Sequence, residues 1–100
     1  MKQISVEKFL KINKKDLQVI DIREQYEYEY GNIDSIHIPM DEILESRTKI
    51  DSKKQVVIYC QTGRRAASVV YMLHKEFNIR NVFNLEGGYV AYLDSTSKTS

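Results

Sequence analysis

The chain has 100 residues, of which 42% are hydrophobic and 29% charged. This length suits one domain with its own core, and the composition is typical of a folded globular protein rather than a disordered one. The net charge of +1 does not favour a broad surface for nucleic acid or anionic lipid. We therefore expect one domain, with neither nucleic acid nor a membrane as its partner.

The amino-terminal segment and the cysteine content bear on location. Glu7 and several lysines interrupt residues 1–15, which therefore lack the apolar core of a signal peptide. No stretch reaches the ~18 consecutive apolar residues of a membrane span. The single cysteine cannot form an internal disulfide, which agrees with a reducing compartment. We expect a cytoplasmic protein.

Short apolar runs alternate with helical segments along the chain. A brief strand is expected near Ile4, and Ser5 is a suitable cap for a helix that runs through Lys11. The clearest helix covers residues 65–77, because apolar residues recur there on one helical face. The other predicted strands cover residues 19–22, 36–38, 56–59 and 82–85.

The remaining segments are less regular. Residues 26–30, Tyr-Glu-Tyr-Glu-Tyr, alternate in the manner of a half-exposed strand. Loops are expected around residues 31–35 and 46–54 and at Gly87-Gly88. The domain is predicted to cover residues 1–93, and residues 94–100 are predicted to form a flexible tail.

The alternation of strands and helices predicts the fold class. Strands that alternate with helices favour βαβ units, in which helices cover both faces of a parallel sheet. The run Val56-Val57-Ile58-Tyr59 has no polar alternation, as expected for a central strand that is covered on both faces. We predict an α/β protein with three layers, α/β/α, around a parallel sheet of about five strands.

Cys60 follows the buried strand directly and precedes the clearest helix. Ligands of open α/β sheets bind beyond the carboxyl ends of the strands. Gly63 permits a tight loop whose backbone N–H groups converge, and Arg64 and Arg65 add positive charge. Helix N-termini and nearby cations favour the thiolate, which makes Cys60 a candidate nucleophile. The alternatives are an inert, packed cysteine and arginines that are solvated surface charges.

The segment Cys60-Gln61-Thr62-Gly63-Arg64-Arg65 resembles the active-site loop of rhodanese-domain sulfurtransferases, whose single-domain members share the form Cys-x-x-Gly-x-Arg. The resemblance extends over nearly the whole chain, with a few departures such as Asn32 in place of a usual His. The other matching elements, in order, are Asp21-Ile22-Arg23, Glu27-Tyr28, Gly31-Asn32-Ile33, Ile38-Pro39 and Leu85-Glu86-Gly87-Gly88-Tyr89.

The resemblance implies the rhodanese strand order and a sulfurtransferase that works through a persulfide on Cys60. Gln61, Thr62, Gly63, Arg64 and Arg65 would then bind the substrate. The sulfur donor would be a small molecule such as thiosulfate, or a persulfide, and the acceptor a thiol, a protein or cyanide. No cofactor and no metal is implied. The resemblance also makes residues 26–30 a short helix or turn, and a one-domain member is expected to have a shallow, open site.

Two other functions stay open at this point. The chain could be a binding or regulatory module that has the fold without the chemistry. Phosphatases and arsenate reductases of related fold are a more distant alternative. They place five residues between cysteine and arginine, whereas four residues separate Cys60 from Arg65 here.

Four further polar side chains have candidate roles. Asp21 and Arg23 end a parallel strand and are therefore expected on the same rim as Cys60. They either support the loop or form a structural salt bridge. His37 and His74 form no recognisable metal-binding pair with Cys60, and we expect structural or surface positions for both.

Overall fold

Five parallel strands form the central sheet of the computed structural model, which describes residues 2–97. The predicted sheet is confirmed, and all four strand pairings are parallel. The spatial order is β1-β5-β4-β2-β3, so that β4 lies at the centre. The strands are β1 (Gln3–Ile4), β2 (Leu17–Asp21), β3 (Ile36–His37), β4 (Gln55–Tyr59) and β5 (Val82–Leu85).

Helices connect the strands and cover both faces of the sheet. They are α1 (Val6–Leu10), α2 (Gln25–Tyr30), α3 (Met40–Ile43), α4 (Arg64–Phe77) and α5 (Gly88–Thr96), with single 3-10 turns at Lys14–Asp16 and Arg47–Lys49. None of the helices within residues 2–97 is both long and apolar enough to cross a lipid bilayer.

Two of the helices form where the sequence predicts them. The Ser5 hydroxyl accepts a hydrogen bond from the Lys8 N–H at 3.2 Å and so caps α1. The apolar face of α4 is buried, with Ala66, Val70 and Leu73 all inaccessible to solvent. At its end, Asn78 adopts the left-handed conformation typical of a residue that terminates a helix.

The sheet separates two apolar cores. On one face, Val56 and Ile58 of β4 pack among residues of α3 and α4. On the other face, Val57 and Tyr59 pack with residues of α1, and Tyr89 and Tyr92 of α5 lie against this core. Successive residues of β4 thus point to opposite cores, which explains why this strand lacks polar alternation.

Residues 26–30 lie in α2 and not in a strand. The alternating pattern alone points to the wrong element, whereas the helix implied by the family resemblance is confirmed. The cause is a local capping interaction, since the backbone N–H of Glu24 donates to the Glu27 carboxylate at 2.9 Å and starts the helix.

The last helix differs from the prediction. Gly88, expected in a loop, is the first residue of α5. The helix runs to Thr96, so residues 94–96 of the predicted tail are helical. The Thr96 hydroxyl donates to the Tyr92 carbonyl at 2.8 Å in the last turn of the helix. Residues 98–100 of the predicted tail lie outside the described part of the chain.

Candidate active site

Cys60 lies at the carboxyl end of β4, where its side chain faces the start of α4. Its Sγ accepts hydrogen bonds from two backbone N–H groups, that of Gly63 at 3.1 Å and that of Ala66 at 3.3 Å. Both donors belong to the amino-terminal end of α4, where N–H groups have no partner within the helix. These dipoles favour a negative charge on sulfur, so the loop is suited to hold a thiolate.

The sulfur is more enclosed than the sequence suggests. Cys60 is 1% exposed and packs beside residues of the apolar core, including Ala66. The thiol itself is therefore enclosed, and the expected openness of the site to a protein partner stays a prediction. Thr62 and Arg64 are the exposed residues of the loop, whereas Gly63 is buried.

Gly63 gives the loop its shape. Its φ of +96° lies in the left-handed region, which other residues rarely adopt. A Cβ atom here would also lie 3.2 Å from the backbone nitrogen of Gly87. This conformation lets the Gly63 N–H turn back to Sγ while its carbonyl enters α4 and accepts from the Ala67 N–H at 3.1 Å.

The amino-terminal end of α5 braces the other side of the loop. The Tyr89 N–H donates to the Cys60 carbonyl at 2.8 Å, and the Val90 N–H donates to the Gln61 carbonyl at 3.0 Å. Gly88 makes this approach possible, because a Cβ atom there would lie 2.5 Å from the Cys60 carbonyl oxygen. The glycine pair after β5 therefore serves a close backbone contact with the cysteine loop.

Arg65 is paired with a carboxylate. Its guanidinium donates through Nη1 and Nη2 to the two oxygens of Glu27, each at 3.1 Å. This bidentate bond is the main cause that raises the pKa of Arg65 and lowers the pKa of Glu27. Arg64 is exposed and belongs to neither of the two salt bridges within residues 2–97. Only part of the expected positive charge is thus available to an anion.

Asp21 and Arg23 lie on the same rim as Cys60. The pair is buried, with Arg23 Nη2 at 2.8 Å from Asp21 Oδ2. Arg23 Nη1 also donates to the side-chain oxygen of Gln61 at 2.9 Å, and Nη2 donates to the Gly31 carbonyl at 2.6 Å. The sequence left two roles open for this pair, support of the loop or a structural salt bridge. The buried pair has both, because Arg23 binds Asp21 and also Gln61 of the loop.

Sequence reasoning overlooked three polar side chains around the loop. The Tyr59 hydroxyl donates to Asp21 Oδ2 at 2.7 Å, and Glu27 holds Arg65. Asn84 donates from Nδ2 to the Gly63 carbonyl at 3.2 Å. Glu27 carries a signal in the sequence, since it belongs to the Glu-Tyr element of the resemblance. Tyr59 and Asn84 lie in apolar strands and carry no such signal.

The two histidines lie against backbone carbonyls. His37 Nε2 is 2.7 Å from the Arg23 carbonyl oxygen, and its ring stacks on Tyr28 with 4.6 Å between centroids. His74 Nε2 is 3.0 Å from the Val82 carbonyl oxygen. Because a carbonyl only accepts, Nε2 carries the proton in both rings.

Comparison with known proteins agrees with this geometry. The rhodanese-like domain family matches residues 5–95, which is nearly the whole chain. The chain belongs to the rhodanese-like family. The predicted resemblance and fold class are thereby confirmed.

Three relatives illustrate the range of proteins that contain such a domain. A rhodanese-related protein from Thermoplasma volcanium shares 28% identity and superposes with a TM-score of 0.85, covering 96% of this chain and 94% of that one. An NAD-dependent persulfide reductase from A. fulgidus superposes with a TM-score of 0.68 at 29% identity, covering 92% of this chain and 16% of the reductase. The tRNA uridine(34) hydroxylase of Yersinia enterocolitica is 36% identical over 89 residues, or 81% of this chain. The chain spans about a quarter of the length of the curated relatives it matches, 25% for this hydroxylase.

Proposed function

We propose that this rhodanese-like domain transfers a sulfane sulfur through a persulfide on Cys60. The observation that carries the proposal is the pair of backbone N–H groups on Cys60 Sγ, at 3.1 and 3.3 Å. The same donors that hold a thiolate can hold the negative terminal sulfur of a persulfide after a modest shift of the loop. A buried structural cysteine has no need of two such donors.

In the first step the thiolate attacks the outer sulfur of thiosulfate. The bond between Cys60 Sγ and that sulfur forms, the sulfur–sulfur bond of thiosulfate breaks, and its electron pair leaves with sulfite. The three negative charges of the reactants become two on sulfite and one on the persulfide. No proton has to move if Cys60 is already ionised, so this step needs no separate general base.

In the second step an acceptor thiolate, or cyanide, attacks the terminal sulfur of the persulfide. The new bond forms as the persulfide bond breaks, and Cys60 regains its electron pair as a thiolate. With cyanide the product is thiocyanate. The helix N-terminus faces the sulfur in both steps, so the same dipoles stabilise the negative charge as it moves from Sγ to the terminal sulfur and back.

The loop residues have different roles in this mechanism. Gly63 supplies an N–H donor to the reacting sulfur, and exposed Arg64 is the cation best placed to attract an anionic donor. Arg65, already bound to Glu27, fixes the start of α4 and contributes less to attraction. Gln61, held by Arg23, and exposed Thr62 would contact the donor or the acceptor as it enters.

Other partners and activities have weaker support. Curated relatives named tRNA uridine(34) hydroxylase are about four times longer than the matching part, and the net charge of +1 offers no broad surface for RNA. A phosphatase would need an arginine at position 66, where this chain has Ala66 with its N–H on the sulfur. We propose that the domain works in the cytoplasm on a small sulfur donor and a thiol or protein acceptor.

The experiment that tests the proposal is thiosulfate-to-cyanide turnover by wild type and Cys60→Ser. The wild type should form thiocyanate, and its intact mass should rise by one sulfur atom after incubation with thiosulfate alone. Cys60→Ser should lose turnover by at least about a thousandfold while keeping its fold, since serine is a far weaker nucleophile than a thiolate.

A control substitution on the surface of α4 tests whether the loss of turnover is specific to Cys60. Ser68→Ala changes an exposed residue of α4 and should keep wild-type turnover. A wild-type protein that gains no sulfur from thiosulfate or from a persulfide donor would instead support a binding or regulatory module. Turnover that survives in Cys60→Ser would refute the persulfide mechanism.

A further inference from the structure

Asn84 is a buried polar residue in the apolar strand β5, next to the cysteine loop. It is 3% exposed, and it pairs across the sheet with Ile58, which is inaccessible to solvent. Its Nδ2 donates to the Gly63 carbonyl at 3.2 Å. Its Oδ1 is buried and has no hydrogen-bond partner among the described residues.

The bond to the Gly63 carbonyl is the only side-chain hydrogen bond of Asn84 among the described residues. The Gly63 carbonyl only accepts, so the nitrogen of the Asn84 amide must face it and the oxygen must point away. A buried acceptor without a donor destabilises the folded state, and an apolar side chain would avoid that cost. The bond to the Gly63 carbonyl is therefore the interaction that favours asparagine over an apolar residue at position 84.

That bond acts on the residue that touches the reactive sulfur. Gly63 donates its N–H to Cys60 Sγ and accepts at its carbonyl from both Asn84 and the Ala67 N–H. A glycine with φ of +96° has a wide choice of backbone conformations, and fixing its carbonyl against the sheet restricts that choice. The direction in which the Gly63 N–H points therefore depends on the hydrogen bond from Asn84 to the Gly63 carbonyl.

We propose that Asn84 is a positioning residue, which holds Gly63 so that its N–H stays on the sulfur of Cys60. The inference deepens the proposed sulfur transfer, because it concerns the same thiolate. The charged side chains around the loop include two pairs, Arg65 with Glu27 and Arg23 with Asp21, and the exposed residues Glu24, Arg64 and Glu86. None of the hydrogen bonds of these pairs involves Asn84, so a substitution at position 84 leaves them in place.

The test compares Asn84→Leu and Asn84→Ala with a matched control. Asn81→Leu removes an amide from the turn before β5 that donates to the carbonyls of Asp51 and Lys54, away from the cysteine loop. Each full-length protein is alkylated with iodoacetamide over a range of pH, and the ultraviolet absorbance of the thiolate is recorded in parallel. Urea unfolding of each protein establishes that it is folded.

In both Asn84 variants the midpoint of alkylation and of thiolate absorbance should be displaced to higher pH than in wild type, because the Gly63 N–H is held less firmly on the sulfur. Asn81→Leu should lower the stability and keep the wild-type midpoint. Asn84→Ala, which adds no bulk, decides the matter if Asn84→Leu does not fold. A wild-type midpoint in the folded Asn84 variants, or an equal displacement in Asn81→Leu, would overturn the inference.

Thiosulfate turnover of the same proteins separates the two proposals. If wild type turns over, the Asn84 variants should show a lower kcat and a KM for thiosulfate within about twofold of wild type, because the group lost acts on the sulfur and not on the donor. If wild type is inactive and the midpoint still moves in the Asn84 variants, the sulfur-transfer proposal fails and the positioning role stands.

Discussion

Tyr59 is the residue on which the polar network below the cysteine loop converges. Its side chain is fully buried, its hydroxyl donates to Asp21 Oδ2 at 2.7 Å, and the Ile33 N–H donates to the same hydroxyl at 3.1 Å. Burial is the main cause that raises the pKa of Tyr59 above its ordinary value of 10.0. The hydroxyl thus keeps its proton and remains a donor to the carboxylate that holds Arg23.

Tyr59→Phe should lower the free energy of unfolding by about 1–3 kcal/mol, because it leaves the Ile33 N–H without its acceptor and Asp21 without one donor. The raised pKa stabilises the wild type fully below pH ~10, and this contribution is lost as the pH rises toward the folded-state value. Urea unfolding at neutral and alkaline pH measures both effects.

The difference in stability between wild type and Tyr59→Phe should therefore shrink above pH ~10. Tyr26→Phe is the matched control, since Tyr26 is exposed and should have little effect at either pH. A constant difference across this range would show that the hydroxyl proton of Tyr59 does not stabilise the fold.

At this scale the sequence predicted the loop and the Asp21–Arg23 pair, but not the residues that hold them. Cys60, Gly63 and the two arginines are adjacent in the chain, so their pattern is visible without a structure. Tyr59 and Asn84 belong to apolar strands, and the hydrogen-bond partners of their side chains, Asp21 and Gly63, are distant in sequence. Nothing local distinguishes them from ordinary strand residues.

Among the secondary-structure elements, α2 is joined to the start of α4 by the ion pair of Glu27 with Arg65. The two side chains are 17% and 34% exposed, so solvent screens part of their attraction. Nevertheless the bidentate bond fixes the first turn of α4, from which Ala66 donates to the sulfur. The short helix α2 thus contributes to the site without touching Cys60.

Glu27→Gln should lower the free energy of unfolding at neutral pH by about 0.5–1 kcal/mol. Because Arg65 lowers the pKa of Glu27, the wild-type pair stabilises the fold above the ordinary value of 4.5, and the contribution is lost as the pH falls through the lowered value. The stabilities of wild type and variant should therefore converge in acid. Thermal unfolding between pH 3 and 7 measures this.

Glu29→Gln is the control for this substitution. Glu29 lies on the same helix and is exposed, where it accepts a hydrogen bond from Gln25 at 2.7 Å. Its replacement should leave the dependence on pH close to that of wild type. Equal acid dependence in Glu27→Gln and wild type would contradict the coupling between α2 and α4.

Elements with a clear period could be predicted, and short or glycine-initiated ones could not. The apolar face of α4 recurs over three turns, and the parallel strands are dense in β-branched residues. By contrast, α3 has only four residues, and α5 begins with a glycine that sequence rules assign to a turn. The start of α5 is determined by its bonds to the carbonyls of Cys60 and Gln61, which are contacts between distant parts of the chain.

For the whole molecule, the parallel sheet explains why the functional groups meet. Asp21 ends β2, Cys60 follows β4, and the glycine pair follows β5, so all three lie at the carboxyl edge of adjacent strands. The order β5-β4-β2 places the cysteine between the brace from α5 and the salt bridge of Arg23. The strand order, which the family resemblance implied, is thus the feature that assembles the site.

The charge of the whole domain leads to a prediction about salt. The 15 basic and 14 acidic residues nearly cancel, and two of the three guanidinium groups at the loop, those of Arg23 and Arg65, are each bound to a carboxylate. If the domain transfers sulfur as proposed, attraction of an anionic donor should therefore be local rather than steered over long distances. The kcat/KM for thiosulfate should fall less than about threefold as ionic strength rises from about 0.01 to about 0.1 M, where the Debye length shortens from about 30 to about 10 Å.

Glu27→Gln should increase the dependence of kcat/KM on salt, which tests the same electrostatic argument. Removal of this carboxylate frees the charge of Arg65, which should make the decline of kcat/KM for thiosulfate with salt steeper than in wild type. Steady-state rates of thiocyanate formation at several salt concentrations measure both slopes. A tenfold or greater fall of the wild-type kcat/KM over the same range would contradict local attraction. It would mean that cations outside these two ion pairs, above all Arg64, attract the donor over a long distance.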